Sequence, residues 1–343
     1  MRDTKRILLF SIILCFNFLF LQILPAIGAE KIDVEKYEKQ LEKYSLIIAK
    51  NPNSYSSYLK KAEAEYNLRK FDEAISDYTL VLKKYPNVSE NYFLRGNSKF
   101  AIKDYAGAIE DFNKTVELEP DSATAYCNRG TAKSILKNYK DAIDDFDTAI
   151  NMDDDIYDAY CNRGVAKVNI NDYGSAILDF DKAIKIDSKI TDAYCHRAHA
   201  KAYLQNYNGA LDDFNKAIEL NPKLASAYYD RGHVKIQIGD SKGALNDFSK
   251  AIEIDDKFTA AYFNRAMIEY KTKDFVKSVS DYSKYIALDS DDAEAYNNRA
   301  LSRAHIGETK EAVYDCLKAL KLNPEYLTKY EEIQWLKYYL PKK

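Results

Sequence analysis

Proline and glycine are scarce, with 7 and 11 in 343 residues. So few breakers exclude long irregular connections and leave helices joined by short turns. Tryptophan occurs once, at Trp335, and histidine four times, which supplies no catalytic triad. No glycine-rich phosphate loop, nucleophile elbow or metalloprotease helix is present, which excludes the enzymes those motifs mark and leaves no catalytic residue to name. Basic charge is not in excess: the formal net charge is -3, and acidic and basic residues are interleaved. A phosphate backbone would require a clustered basic stripe, so nucleic acid is excluded as a partner. Only one long apolar run exists, Ile7 to Leu24.

What is present is one unit, copied. A tyrosine recurs every 34 residues as Tyr58, Tyr92, Tyr126, Tyr160, Tyr194, Tyr228, Tyr262 and Tyr296, with Tyr330 at the same interval. Four residues after each stands a small residue (Ala62, Gly96, Gly130, Gly164, Ala198, Gly232, Ala266, Ala300), and sixteen after it another, such as Ala176. At twenty comes an aromatic, from Tyr78 through Phe180 to Tyr282, with Cys316 the one departure. Glycine inside a helix costs about 1 kcal/mol relative to alanine, so its return at one phase requires a gain, which close helix-to-helix approach supplies.

In the unit opening at Tyr160, a first helix to about Ile170 is followed by the polar turn Asn171-Asp172. A second helix then carries Ala176, Ile177, Phe180, Ala183 and Ile184 on one face. One unit alone has nothing against which to bury that face.

This spacing resembles the tetratricopeptide repeat, a helix-turn-helix unit stacked into a solenoid. Four copies also carry the family's closing proline, as Pro86, Pro120, Pro222 and Pro324. The resemblance implies an all-α fold, an α-solenoid in which antiparallel helix pairs wind into a right-handed superhelix. Its inner groove would bind other polypeptides, and it implies no cofactor.

Along the chain, Arg2, Lys5 and Arg6 precede the apolar run, and Pro25 to Ala29 follow it. Residues 1–29 therefore read as a signal peptide, cleaved after Ala29, or as a signal anchor that associates with a membrane through residues 7–24. Either form places the repeats outside the cytoplasm, periplasmic or extracellular. Residues 30–54 read as half a repeat, with Tyr37, Tyr44, Ile47 and Pro52 one period before Phe71, Tyr78, Val81 and Pro86. Eight repeats fill 55–326, and 327–343, with Tyr330 and Trp335, read as a capping helix.

Three recurring sets carry polar chemistry. Arginine stands three after the tyrosine from Arg95 to Arg299, with Lys61 in the first copy, and aspartate nineteen after it from Asp77 to Asp315. A second basic residue follows the arginine by four in most copies, as Lys99, Lys133, Lys167, Lys201, Lys235 or Arg303. A carboxylate holds a guanidinium fork bidentately, so the set predicts a structural clamp between the two helices of a hairpin.

The second set stands two after the tyrosine: Asn128, Asn162, His196, Asp230, Asn264 and Asn298. An amide offers both donor and acceptor, and the four asparagines resemble the asparagine ladder of superhelices that grip an extended chain by its backbone. Phe93, Tyr229 and Phe263, one after the tyrosine, and His199 complete the candidate peptide-binding residues. Aromatics beside amides favour a polypeptide over a small polar ligand.

The third set is Cys127, Cys161 and Cys195 in phase, with His199 and His233. Ligands on separate repeats stand about a helix spacing apart, so these read as apolar wall and not as a metal site. The expectation is an exported, non-enzymatic scaffold that binds a protein or extended peptide in its groove. The alternatives are a structural subunit of an envelope assembly and a metal or thiol sensor.

Overall fold

The computed structural model describes residues 33–326. Among them are seventeen α-helices and no strand. The expected signal segment and the capping helix at 327–343 lie outside the described residues.

The described residues fall into two compact units, divided after Leu204. The first holds α1 (Val34–Lys50), then the pairs α2 (Tyr55–Asn67) and α3 (Phe71–Lys84), α4 (Ser89–Ala101) and α5 (Tyr105–Leu118), α6 (Ala123–Ile135) and α7 (Tyr139–Met152), and α8 (Tyr157–Asn169) and α9 (Tyr173–Ile186), ending on α10 (Thr191–Tyr203). The second opens on α11 (Tyr207–Leu220). It continues as α12 (Ala225–Gln237) with α13 (Ser241–Ile254), α14 (Thr259–Lys271) with α15 (Phe275–Leu288), and α16 (Ala293–His305) with α17 (Thr309–Leu322). Within each unit a first helix packs on its own second helix, and that second helix packs on the next first helix. This is α-solenoid construction, in which every hairpin completes its neighbour.

The repeated first helices start one turn before the marker tyrosine, at Tyr157 and not Tyr160 in the fourth copy. Asp158 in that turn faces the positive end of the helix dipole, which favours the extension. The first helices end through one residue in the left-handed region: Asn171 has φ 65° and Lys137 66°, while Gly239 has 84°. The residue after it caps the second helix in several copies. Asp172 accepts from the Ser175 amide at 3.2 Å and Asp240 from the Gly243 amide at 2.8 Å.

The core is the stripe at twenty after the tyrosine. Phe112, Phe146 and Phe180 in the first unit and Phe248 in the second are fully buried, each contributing about 1.5–3 kcal/mol. The small residue at four is explained by the same rings. A Cβ built on Gly164 would stand 2.6 Å from Phe180, and one on Gly96 2.8 Å from Phe112. Glycine lets the ring lie against the first helix backbone.

Candidate functional site

Packing between copies is not symmetric. In the first unit α4 meets α6, α6 meets α8 and α8 meets α10, and in the second α14 meets α16; no two second helices come as close among the described residues. The first helices therefore form the inner wall of each unit, and equivalent side chains recur along it.

The amides expected on this wall are sewn into it. Asn128 Nδ2 donates to Asn97 Oδ1 at 2.9 Å, and Asn162 Nδ2 to Thr131 Oγ1 at 3.1 Å, each reaching the first helix of the preceding copy. Asn264 Nδ2 donates to the Tyr229 hydroxyl and the Ala260 carbonyl, both at 2.9 Å, which leaves its buried Oδ1 without a partner. Asn298 is half-buried, and its Oδ1 accepts from Asn297 at 3.1 Å.

Of the flanking residues, Phe93 and Phe263 are half-buried, with Phe93 against Phe112 and Phe263 between Tyr282 and Tyr285. Tyr229 is only 2% exposed, packed on Phe248 and Phe258, and His199 only 3%. Both side chains lie inside the wall, out of direct reach of a ligand. Cys127 and Cys195 are buried and Cys161 half-buried, none of them in a disulfide. Burial pushes the Cys127 thiol up to about 12, with Asp158 adding to the shift, and raises Cys161 for the same first reason. Neither is a thiolate near neutral pH. No three His, Cys, Asp or Glu side chains among the described residues are grouped to hold a metal.

Behind the wall lie the clamps. Arg129 Nε and Nη2 donate to Asp145 at 2.9 and 2.6 Å, and the same fork joins Arg95 to Asp111, Arg163 to Asp179, Arg231 to Asp247 and Arg299 to Asp315. The second cation closes on the same carboxylate, as Lys133 does on Asp145 at 2.7 Å. Each guanidinium also lies over the tyrosine three residues before it, 5.0 Å from the Tyr126 ring for Arg129.

The remaining nitrogen, Nη1, does something the sequence reading did not assign. It reaches the second helix of the preceding copy: Arg95 to Thr79, Arg129 to Asn113, Arg163 to Asp147, Arg231 to Asn215 and Arg265 to Ser249. One guanidinium thus ties three helices.

Two copies break the pattern. In the first, Lys61 bridges Glu65 and Asp77 at 2.6 and 2.7 Å. In the seventh, Glu269 stands where copies two to six and eight have a cation, buried beside the Arg265–Asp281 pair with Oε2 unpartnered. Burial first and Asp281 second raise its carboxyl to about 7, against the pull of Arg265.

Comparison with known families agrees with this geometry. Profiles described as tetratricopeptide repeat match residues 56–87, 123–156, 157–190, 191–224, 225–258 and 293–326, and one described as TPR repeat matches 96–133. The chain belongs to the tetratricopeptide repeat family.

Solved tetratricopeptide repeat structures share its fold at low identity. The C-terminal part of a TPR repeat-containing protein from Cytophaga hutchinsonii is 20% identical with a TM-score of 0.58, over 70% of this chain and 98% of that one. A tetratricopeptide repeat protein from Parabacteroides merdae is 19% identical with a TM-score of 0.57, over 73% and 98%. PilF of Pseudomonas aeruginosa is 18% identical with a TM-score of 0.54, over 63% and 97%. No curated protein matches the sequence. Tetratricopeptide repeat proteins are generally non-enzymatic scaffolds that bind proteins or peptides, and this chain has the construction of one. No helix among the described residues is long and apolar enough to cross a membrane.

Proposed function

We propose that this protein is an exported scaffold that binds an extended polypeptide along its first-helix wall. One observation carries the reading. First helices alone meet their counterparts in the next copy within each unit, so one phase of the wall keeps half-buried side chains, Phe93 and Cys161 in the first unit and Phe263 in the second. Neighbouring helices pack about 10 Å apart, and an extended chain advances about 3.3 Å per residue. Every third ligand residue would therefore meet an equivalent position.

Export rests on Arg2, Lys5, Arg6 and the apolar run to Leu24. A mature N-terminus at Glu30 in the envelope or medium would support it, and intact cytoplasmic protein would overturn it. For the wall, a Phe93→Asp/Phe263→Asp double variant is compared with wild type in pull-downs from the envelope fraction. Loss of the captured polypeptide with an intact helical circular dichroism signal is expected; unchanged capture would refute the reading.

A further inference from the structure

A cleft of about 620 Å³ opens on the fourth hairpin, floored by Tyr160, Arg163 and Lys167 of α8 and walled by α9. It is not part of the first-helix wall. Arg163 bonds Asp147 on α7 and Asp179 on α9, so α8 here lies in a furrow between two second helices, of which α9 lines the cleft.

Three residues of α9 mark this furrow; the eighth copy carries Tyr314, Lys318 and Lys321 at the same positions, but there Lys318 lies over the Tyr314 ring at 5.6 Å. Eighteen after the tyrosine, other copies carry Ser76, Glu110, Asp144, Asp212, Asn246, Ser280 or Tyr314, whereas the fourth carries Leu178, 65% exposed. At twenty-two and twenty-five after it, copies two, five and six carry Lys–Glu pairs that close on themselves, Lys114–Glu117 at 2.6 Å, Lys216–Glu219 at 2.8 Å and Lys250–Glu253 at 2.8 Å. The fourth carries Lys182 and Lys185, both exposed and without an ion pair among the described residues.

The other charges of the cleft are already matched. Asp179 holds Arg163 and Lys167, and Asp181 holds Arg197. Two lysines therefore remain without counter-charge, beside an exposed leucine, over a hollow of the size that takes a ligand segment.

We propose that the furrow between α7 and α9 is a second docking surface, for an acidic polypeptide segment that lays an apolar side chain on Leu178 and carboxylates against Lys182 and Lys185. Two free lysines are too few for a phosphate backbone or a lipid surface, which draw on wider basic clusters. The prominent leucine favours a partner with apolar side chains.

The test uses purified full-length chain and a fluorescein-labelled peptide of two leucines flanked by glutamates. Matched peptides have the glutamates changed to glutamine or the leucines to serine. The expected result is binding of the first peptide, with each matched peptide weaker by about tenfold or more, a loss of about 1.4 kcal/mol. Lys182→Glu/Lys185→Glu and Leu178→Asp should each lose about tenfold with unchanged melting curves. Single Lys185→Glu recreates the self-paired state of copies two, five and six, so it keeps the fold and should also weaken binding. Phe93→Asp should bind as wild type. Furrow variants that bind normally would overturn the proposal, and so would a loss confined to Phe93→Asp, which would place the peptide on the wall. Binding of duplex DNA or phosphatidylglycerol vesicles through these lysines, without binding of the peptide, would overturn it as well.

Discussion

Arg163 reaches back across the repeat boundary to Asp147, Nη1 to Oδ1 at 2.5 Å, while the rest of its guanidinium grips Asp179 in its own hairpin. The two carboxylates differ in burial: the Asp179 side chain is 5% exposed and Asp147 48%. Removing Asp179 strands Arg163 and Lys167 in a buried site, so Asp179→Ala should cost on the order of 3–5 kcal/mol. Asp147→Ala, at the surface, should cost about 0–1 kcal/mol. Urea melts followed by circular dichroism compare them, and equal losses would contradict the clamp.

Glu269 predicts a pH dependence. Its folded carboxyl lies at about 7, above its ordinary value, because of burial and then Asp281. Arg265, Asp274 and Lys277 are the other charges around it. A raised acid contributes stability that is fully present below its unfolded value, about 4.3, and is lost as pH rises through about 7. The chain should thus be more stable at pH 5 than at pH 8, with Glu269 responsible for about 3 kcal/mol of the difference. Glu269→Gln should flatten that part of the profile. Glu269→Lys, which restores the second cation beside Asp281, should raise the pH 8 melt. If all three chains show one profile, the assignment fails.

Two glycines on the fourth hairpin should respond in opposite directions. Gly164 lies under the Phe180 ring, and Gly164→Ala should destabilise by about 1–3 kcal/mol through overpacking. A Cβ on Gly174, near the start of α9, meets nothing within 4 Å, and Gly174→Ala should stabilise by up to about 1 kcal/mol. Thermal melts of the two variants check the sign of each.

At the left-handed closures the sign again depends on position. Lys137 holds φ 66°, a conformation that costs a residue with a side chain roughly 1–2 kcal/mol, so Lys137→Gly should stabilise. Gly239 holds φ 84° in open space, and Gly239→Ala should lose a similar amount. A matched pair of denaturant melts decides both.

Most of the fold could be read from the 34-residue register, because the copies repeat each constraint. Gly164 against Phe180 and Arg163 against Asp179 follow from spacing on two helices of one hairpin. What escaped were relations between copies. The Nη1 acceptors Thr79, Asn113, Asp147 and Ser249 share a phase but not a residue type, so no pattern marks them. The tie of Asn162 to Thr131 depends on how far one first helix stands from the next, which a single sequence does not state. Burial of Tyr229 was hidden for the same reason, since Phe258, which covers it, belongs to the connection to the next copy. Leucine stands eighteen after the tyrosine in one copy only, as Leu178, and a lone departure becomes meaningful once a cleft is seen beside it.

The third bond of each arginine gives the array a direction. Arg95, Arg129, Arg163, Arg231 and Arg265 all turn toward residues already passed in the chain, never toward those still to come. As the polypeptide is made from its amino end, the acceptor for each of these side chains has emerged before the arginine itself, so folding can keep pace with translation. Trimming copies from the carboxyl end strands none of these guanidinium groups, whereas trimming from the amino end leaves the first survivor with an idle nitrogen.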